Sequence, residues 1–194
     1  VDLIILPGSK TTIADMTDLR RQGWDVDIQA HLRRGGSIFG ICAGYQMLGT
    51  LIGDLDKIEG DITSIEGLGL LNVQTELGGD KSLIEALATS TQGFGEFQGY
   101  EMHIGTTTGP ECDNPFVEIE GQSAGAVSVD GKVAGCYLHG LFANDTFRHA
   151  FLTNLKGREN SGVAYDHQVE QALDAVAVAF EAALDIDALL AAAS

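Results

Sequence analysis

Ser37-Ile38-Phe39-Gly40-Ile41-Cys42-Ala43-Gly44-Tyr45-Gln46-Met47-Leu48-Gly49 is the stretch on which the fold turns. Its first five residues form a short apolar run that reads as a buried strand, and residues 43–51 carry a helical pattern. Between them stands Gly40-Ile41-Cys42-Ala43-Gly44, a cysteine flanked by glycines at a strand-to-helix turn, which is the setting of a nucleophile elbow. Glycines belong there because the turn is strained and neighbouring side chains would clash. A sulfur so placed meets a helix N-terminus, where the macrodipole and free N–H groups favour thiolate over thiol. The same N–H groups, that of Ala43 above all, can stabilise an oxyanion on an attacked carbonyl. A buried structural cysteine is the bland alternative; the agreement of strand, elbow and helix favours a nucleophile.

Upstream, residues 1–6 read as another buried strand, ended by Pro7-Gly8-Ser9. Thr11 or Thr12 can cap a helix with Ile13, Met16 and Leu19 on its inner face, stopped near Gly23. A second helix over residues 25–34 closes on Gly35-Gly36. This β-α-α-β order favours a parallel sheet with helices packed on its faces, since parallel neighbours need a crossover connection. Downstream, the Asp- and Gly-rich residues 52–67 read as a surface loop, and residues 68–77 and 100–104 as strands. Residues 81–91 fit helix or strand by periodicity and are read as strand. Residues 124–129 and 132–138 flank Asp130-Gly131, a strong hairpin signal. Helices over residues 145–156 and 168–183 and a short one over 186–193 finish the chain. No repeat or low-complexity linker divides it, so one domain over residues 1–194 is expected.

Charge and composition exclude several functions. With 28 acidic against 11 basic residues the formal charge is −17, which repels a phosphate backbone and makes nucleic acid an unsuitable partner. The opening apolar run is too short to span a bilayer and no signal-like segment is seen, so a soluble, cytoplasmic protein without a membrane partner is expected. Cys42, Cys112 and Cys136 are odd in number and scattered, with no C-x-x-C pair. Neither a disulfide framework nor a metal site follows.

A cysteine nucleophile needs a base, and His31, His103, His139, His149 and His167 compete. His31, His149 and His167 fall in helical patterns among polar neighbours. His139 ends the strand read over residues 132–138, where it would project over the sheet edge used for ligand sites. His103, in Gly99-Tyr100-Glu101-Met102-His103-Ile104-Gly105, also sits near a strand end. Position favours His139 and leaves His103 open, because geometry, not spacing, identifies such a pair.

The segments Pro7-Gly8-Ser9-Lys10, Gly40 to Gly49, Glu66-Gly67-Leu68-Gly69-Leu70-Leu71, Gly99 to Gly105 and Tyr137-Leu138-His139-Gly140-Leu141-Phe142 resemble, in order, the class I glutamine amidotransferase domain of cobyric acid synthase. The resemblance implies an α/β, flavodoxin-like, mostly parallel sheet with helices on both faces. It implies Cys42 as the nucleophile that forms a γ-glutamyl thioester, His139 as the group that accepts and returns its proton, and Gly8 and Ala43 as oxyanion-hole donors. Gln46, Met102 and His103 match the residues that contact or line the L-glutamine pocket. The implied partners are an ATP-using synthetase domain and, through it, a corrin substrate.

Two departures stand out. Ordinary class I amidotransferases follow their histidine with Pro and Glu, the Glu orienting the imidazole; Gly140 and Leu141 stand there instead, so the resemblance implies a Cys-His dyad. The family also has a further strand and an ATP-using domain ahead of the segment matching Val1. No G-x-x-x-x-G-K-[ST] loop occurs, so no cofactor is expected in this chain, and ATP and Mg²⁺ would belong to the separate synthetase domain. Three rival readings are a glutaminase subunit for cell-wall lipid precursor amidation, a non-catalytic docking domain of the same fold, and a cysteine hydrolase for another amide. Residues 99–105 count against the first, intact Cys42 and His139 against the second, and Gln46 against the third.

Overall fold

Leu3, Ile4, Ile5 and Leu6 lie beside Ser37, Ile38, Phe39 and Gly40, residue for residue and in the same direction. This pair begins the central sheet of a computed structural model that describes residues 1–79, 83–157 and 164–193. In chain order the elements are β1 (Leu3–Leu6), α1 (Thr12–Arg21), α2 (Trp24–Arg33), β2 (Ser37–Ile41), α3 (Ala43–Leu48), β3 (Leu51–Gly53), β4 (Ser64–Glu66) and β5 (Gln74–Glu76). There follow β6 (Ile84–Ser90), β7 (Glu96–Glu101), β8 (Thr106–Thr108), a 3-10 turn (Pro110–Asp113), β9 (Val117–Ile119) and β10 (Gln122–Ala124). The remainder are β11 (Ala126–Val127), β12 (Val133–Cys136), β13 (Leu138–His139), α4 (Asp145–Lys156), α5 (Tyr165–Ala183) and α6 (Ile186–Ala193).

The central sheet has the order β1-β2-β12-β11, with β1, β2 and β12 parallel and β11 antiparallel at the edge. Strand alternation makes β2 its pivot. Ile38 enters an apolar cluster with Ile13, Met16, Leu19 and Ile28 of α1 and α2, while Phe39 points to the other face among Phe94, Phe116, Phe147 and Phe151. Both faces of β2 are therefore covered, as a parallel sheet requires. The second face is formed by α4 and by a five-stranded antiparallel sheet, β10-β9-β6-β7-β13. A small mixed sheet, β4-β3-β5-β8, lies beyond α3.

The α/β class with a parallel core holds, and several local expectations need correction. The Asp130-Gly131 hairpin forms, with β11 and β12 paired on either side. Residues 84–90 of the ambiguous segment are strand; Lys81 and Ser82 lie outside the described residues. The stretch 132–138 is not one strand: β12 belongs to the central sheet and β13 to the antiparallel one, so the chain changes sheets at Tyr137. The strands expected over 68–77 and 100–104 shorten to Gln74–Glu76 and to a strand that ends at Glu101. The expected loop 52–67 contains β4 and the end of β3, paired antiparallel, and its Asp54 is fully buried, accepting N–H bonds from Ile58 (2.7 Å) and Glu59 (2.8 Å). Thr11 makes no side-chain cap on α1; Glu59 instead accepts the Ile13 N–H at 2.9 Å. A carboxylate at a helix start complements the dipole, so the buried Asp54 turn caps α1 from a distance in sequence.

Contacts divide the chain into two compact units, Val1–Glu159 and Asn160–Ser194. The second holds α5 and α6, with Leu173, Val178 and Phe180 exposed on α5. Among the described residues no helix is long and apolar enough to cross a membrane.

Candidate active site

The carboxyl ends of the three parallel strands, β1, β2 and β12, lead to Gly8, Cys42 and His139. Ligand sites of open α/β sheets lie at that edge. At the end of β2 the chain turns so sharply that Cys42 takes φ 54 and ψ −114, a conformation L residues rarely adopt. Such a residue costs about 1–3 kcal/mol and persists only where its surroundings enforce it. Here they do: the Cys42 N–H donates to the Cys136 carbonyl at 2.9 Å, and the Cys42 carbonyl accepts the Gln46 N–H at 3.1 Å, starting α3. A Cβ at Gly44 would lie 2.0 Å from the Leu6 carbonyl oxygen, so only glycine lets α3 close against β1. The sequence-based elbow is therefore present with its strain.

Cys42 is buried, with its Sγ 3.5 Å from the Met102 carbonyl. Ala43 is the first residue of α3, so its N–H has no acceptor within the helix. A methyl group on Gly8 would sit 3.2 Å from His139 Cε1 and 3.5 Å from Cys42 Cβ, so one small volume touches all three residues. His139 is held there by β13, where it pairs across the ladder with Tyr100 of β7. The two rings are parallel within 7°, with centroids 5.0 Å apart.

His103 lies near His139 but is engaged by another ring. Its ring stacks on Tyr137 with centroids 3.7 Å apart, and burial first, then the neighbouring His139, hold its pKa below the ordinary histidine value. Tyr137 in turn bonds to Thr107, and Thr107 to Thr75 at 2.7 Å. Burial likewise raises the Cys112 and Cys136 thiols, the latter to about 12.

Gln46 is 3% exposed, not a solvent-facing helix position. Its Nε2 donates to the Ile104 carbonyl (2.9 Å) and to the Tyr137 hydroxyl (3.3 Å), and its Oε1 accepts from Thr12 (3.2 Å). The Ile104 carbonyl can only accept, which fixes the orientation of the amide. Both amide protons of Gln46 and one Oε1 lone pair are then used inside the protein. Its main structural effect is to tie α3 to the segment carrying Met102 and His103.

Sequence reasoning missed Tyr100, Tyr137, Thr12 and Thr107, whose roles arise from ladder register and tertiary contact. Only Tyr137 carried a signal, standing two residues before His139 on an apolar strand. Among the described residues no group of three or more His, Cys, Asp and Glu is placed to hold a metal ion.

Comparison with known proteins adds independent findings. Residues 1–147 match the family model of the CobB/CobQ-like glutamine amidotransferase domain. The cobyric acid synthase of Cereibacter sphaeroides is 52% identical over 190 residues, covering 98% of this chain and 39% of that protein. The cobyric acid synthase of a Bradyrhizobium species is 51% identical over 189 residues, covering 97% and 38%. The chain thus spans about two fifths of the length of the curated relatives it matches. Among solved structures, a glutamine amidotransferase superposes with a TM-score of 0.57 at 20% identity, covering 81% of this chain and 80% of its own. PurLQS from Thermotoga maritima gives 0.57 at 17% identity, covering 80% of each chain. At those identities the structural likeness concerns the fold.

Proposed function

Because this chain belongs to the CobB/CobQ-like glutamine amidotransferase family, we propose that it is the glutamine-hydrolysing domain of a cobyric acid synthase, with Cys42 as nucleophile and His139 as base. The observation that carries the reading is the meeting of Gly8, Cys42 and His139 at the carboxyl edge of the parallel sheet.

The chemistry follows from those positions. His139 takes the Cys42 proton, and the sulfur attacks the side-chain carboxamide carbon of L-glutamine. The negative oxygen of the tetrahedral intermediate accepts N–H bonds from Ala43 and Gly8. His139 returns the proton to the nitrogen, the C–N bond breaks, and ammonia leaves a γ-glutamyl thioester. Water then adds to the thioester with His139 accepting its proton, the C–S bond breaks, the proton returns to sulfur, and glutamate departs. In this reading Met102, whose carbonyl lies beside the Cys42 sulfur, and His103 line the glutamine pocket, and Gln46 ties their segment to α3 at the Ile104 carbonyl. In the longer protein this domain would be the C-terminal part, and the ammonia would pass to an ATP- and Mg²⁺-using synthetase domain that amidates peripheral carboxylates of the corrin ring.

The test uses this chain together with a separately supplied synthetase domain. Cys42→Ala abolishes amidation of the corrin substrate when L-glutamine is the nitrogen donor and leaves amidation by added ammonium chloride intact. Loss of both, or of neither, contradicts the proposal.

A further inference from the structure

The position two residues after His139, where ordinary class I amidotransferases place an orienting glutamate, is Leu141, and Leu141 is buried in the phenylalanine-rich core. Taking His139 as the base, we propose that Tyr100 is its positioning residue: the parallel face of the Tyr100 ring sets the plane of the imidazole beside Cys42.

Three features support this assignment. Tyr100 lies directly opposite His139 in the β7–β13 ladder, and such antiparallel partners share a face with their Cβ atoms about 5 Å apart. The ring geometry, 5.0 Å between centroids and 7° between planes, is a stack and not an incidental approach. The backbone at Tyr100 is held on both sides, because β7 also pairs with β6, where Tyr100 faces Glu85, while the residue remains 38% exposed. The close approach of β13 to β7 depends on the residue next to Tyr100: a Cβ on Gly99 would lie 2.5 Å from the His139 carbonyl oxygen.

The chemical consequence concerns angle more than charge. A parallel aromatic neighbour restricts rotation about the second side-chain torsion of His139. Proton transfer between sulfur and imidazole needs a short, aligned approach, and a misplacement of about 1 Å costs on the order of 100-fold in rate. A π-face also favours the imidazolium that forms when His139 holds the Cys42 proton. The stack needs the Tyr100 ring and not its hydroxyl.

Glutamine turnover and Cys42 alkylation by iodoacetamide are measured for this chain carrying Tyr100→Phe, Tyr100→Leu and Tyr100→Thr, the last suiting a strand should the leucine variant fold poorly. Tyr100→Phe is expected to keep kcat within about twofold. The two non-aromatic variants are expected to lose about tenfold or more in kcat with KM within about twofold, and to alkylate Cys42 more slowly. A non-aromatic variant with kcat within twofold of wild type, a loss confined to KM, or a phenylalanine variant as impaired as the leucine one would overturn the assignment. His139→Ala separates this from the underlying reading: if it turns over glutamine like wild type, His139 is not the base.

Discussion

Gly8 and His139 approach so closely that a Cβ on the glycine would lie 3.2 Å from the imidazole Cε1. That contact is tight enough to displace the ring by a few tenths of an ångström, and the same methyl would also touch Cys42 Cβ. Gly8→Ala is therefore expected to lower glutaminase kcat by about tenfold or more while shifting the urea midpoint little. Steady-state kinetics beside equilibrium unfolding checks it; an unimpaired alanine variant would mean that the imidazole has room to spare.

Cysteine reactivity should be concentrated at one position. Burial holds the Cys136 thiol at about 12 and raises that of Cys112, so neither supplies much thiolate at neutral pH. A glutamine-like electrophile followed by peptide mapping is expected to mark Cys42 and spare the other two. Preferential modification of Cys112 or Cys136 would remove Cys42 from the nucleophile's role.

Gln46 should matter for stability as well as for binding. Gln46→Met keeps the volume but leaves the Ile104 carbonyl without its donor and the Thr12 hydroxyl without its acceptor, while Tyr137 keeps its bond to Thr107. The expected cost is about 2–4 kcal/mol, since orphaned buried groups cost more than a hydrogen bond returns. Chemical denaturation measures it. A change below about 0.5 kcal/mol would show that these bonds are readily replaced by water.

The fold and the elbow were readable in the sequence to different depths. Gly40 to Gly44 between an apolar run and a helical pattern was sufficient to place Cys42, because the steric demands of that turn leave few residue types that fit. The pair of helices before β2 and the Asp130-Gly131 turn were equally local, and both formed as expected. The change of sheet at Tyr137 was not readable, since one apolar run can serve two ladders and only tertiary pairing decides where it breaks. For the same reason the stack of Tyr100 on His139, and the remote cap that Glu59 places on α1, had no signature in spacing or composition. Periodicity speaks for neighbours three, four or two residues apart, whereas these contacts join residues about forty apart.

Glu101 offers a test by pH. Burial raises its carboxyl above the ordinary carboxylate value, so the folded state holds that proton more tightly than the unfolded chain does. The associated stability is fully present below the unfolded pKa and is lost as pH rises through the folded one. Ionised Glu101 is therefore a liability at neutral pH, reduced by solvent because the side chain is only half-buried. Glu101→Gln is expected to stabilise the protein by less than about 1 kcal/mol at pH 7 relative to its effect near pH 4. Urea midpoints across that range check it, and a variant less stable at pH 7 than at pH 4, relative to wild type, would reverse the assigned sign.

Acid-quenching the protein during incubation with L-glutamine, followed by mass spectrometry of its peptides, examines the proposed chemistry at its decisive atom. A γ-glutamyl adduct on the Cys42 peptide is expected in the wild type, absent from Cys42→Ala and strongly reduced in His139→Ala. An adduct on Cys112 or Cys136, or ammonia release undiminished in Cys42→Ala, would contradict a Cys42 thioester.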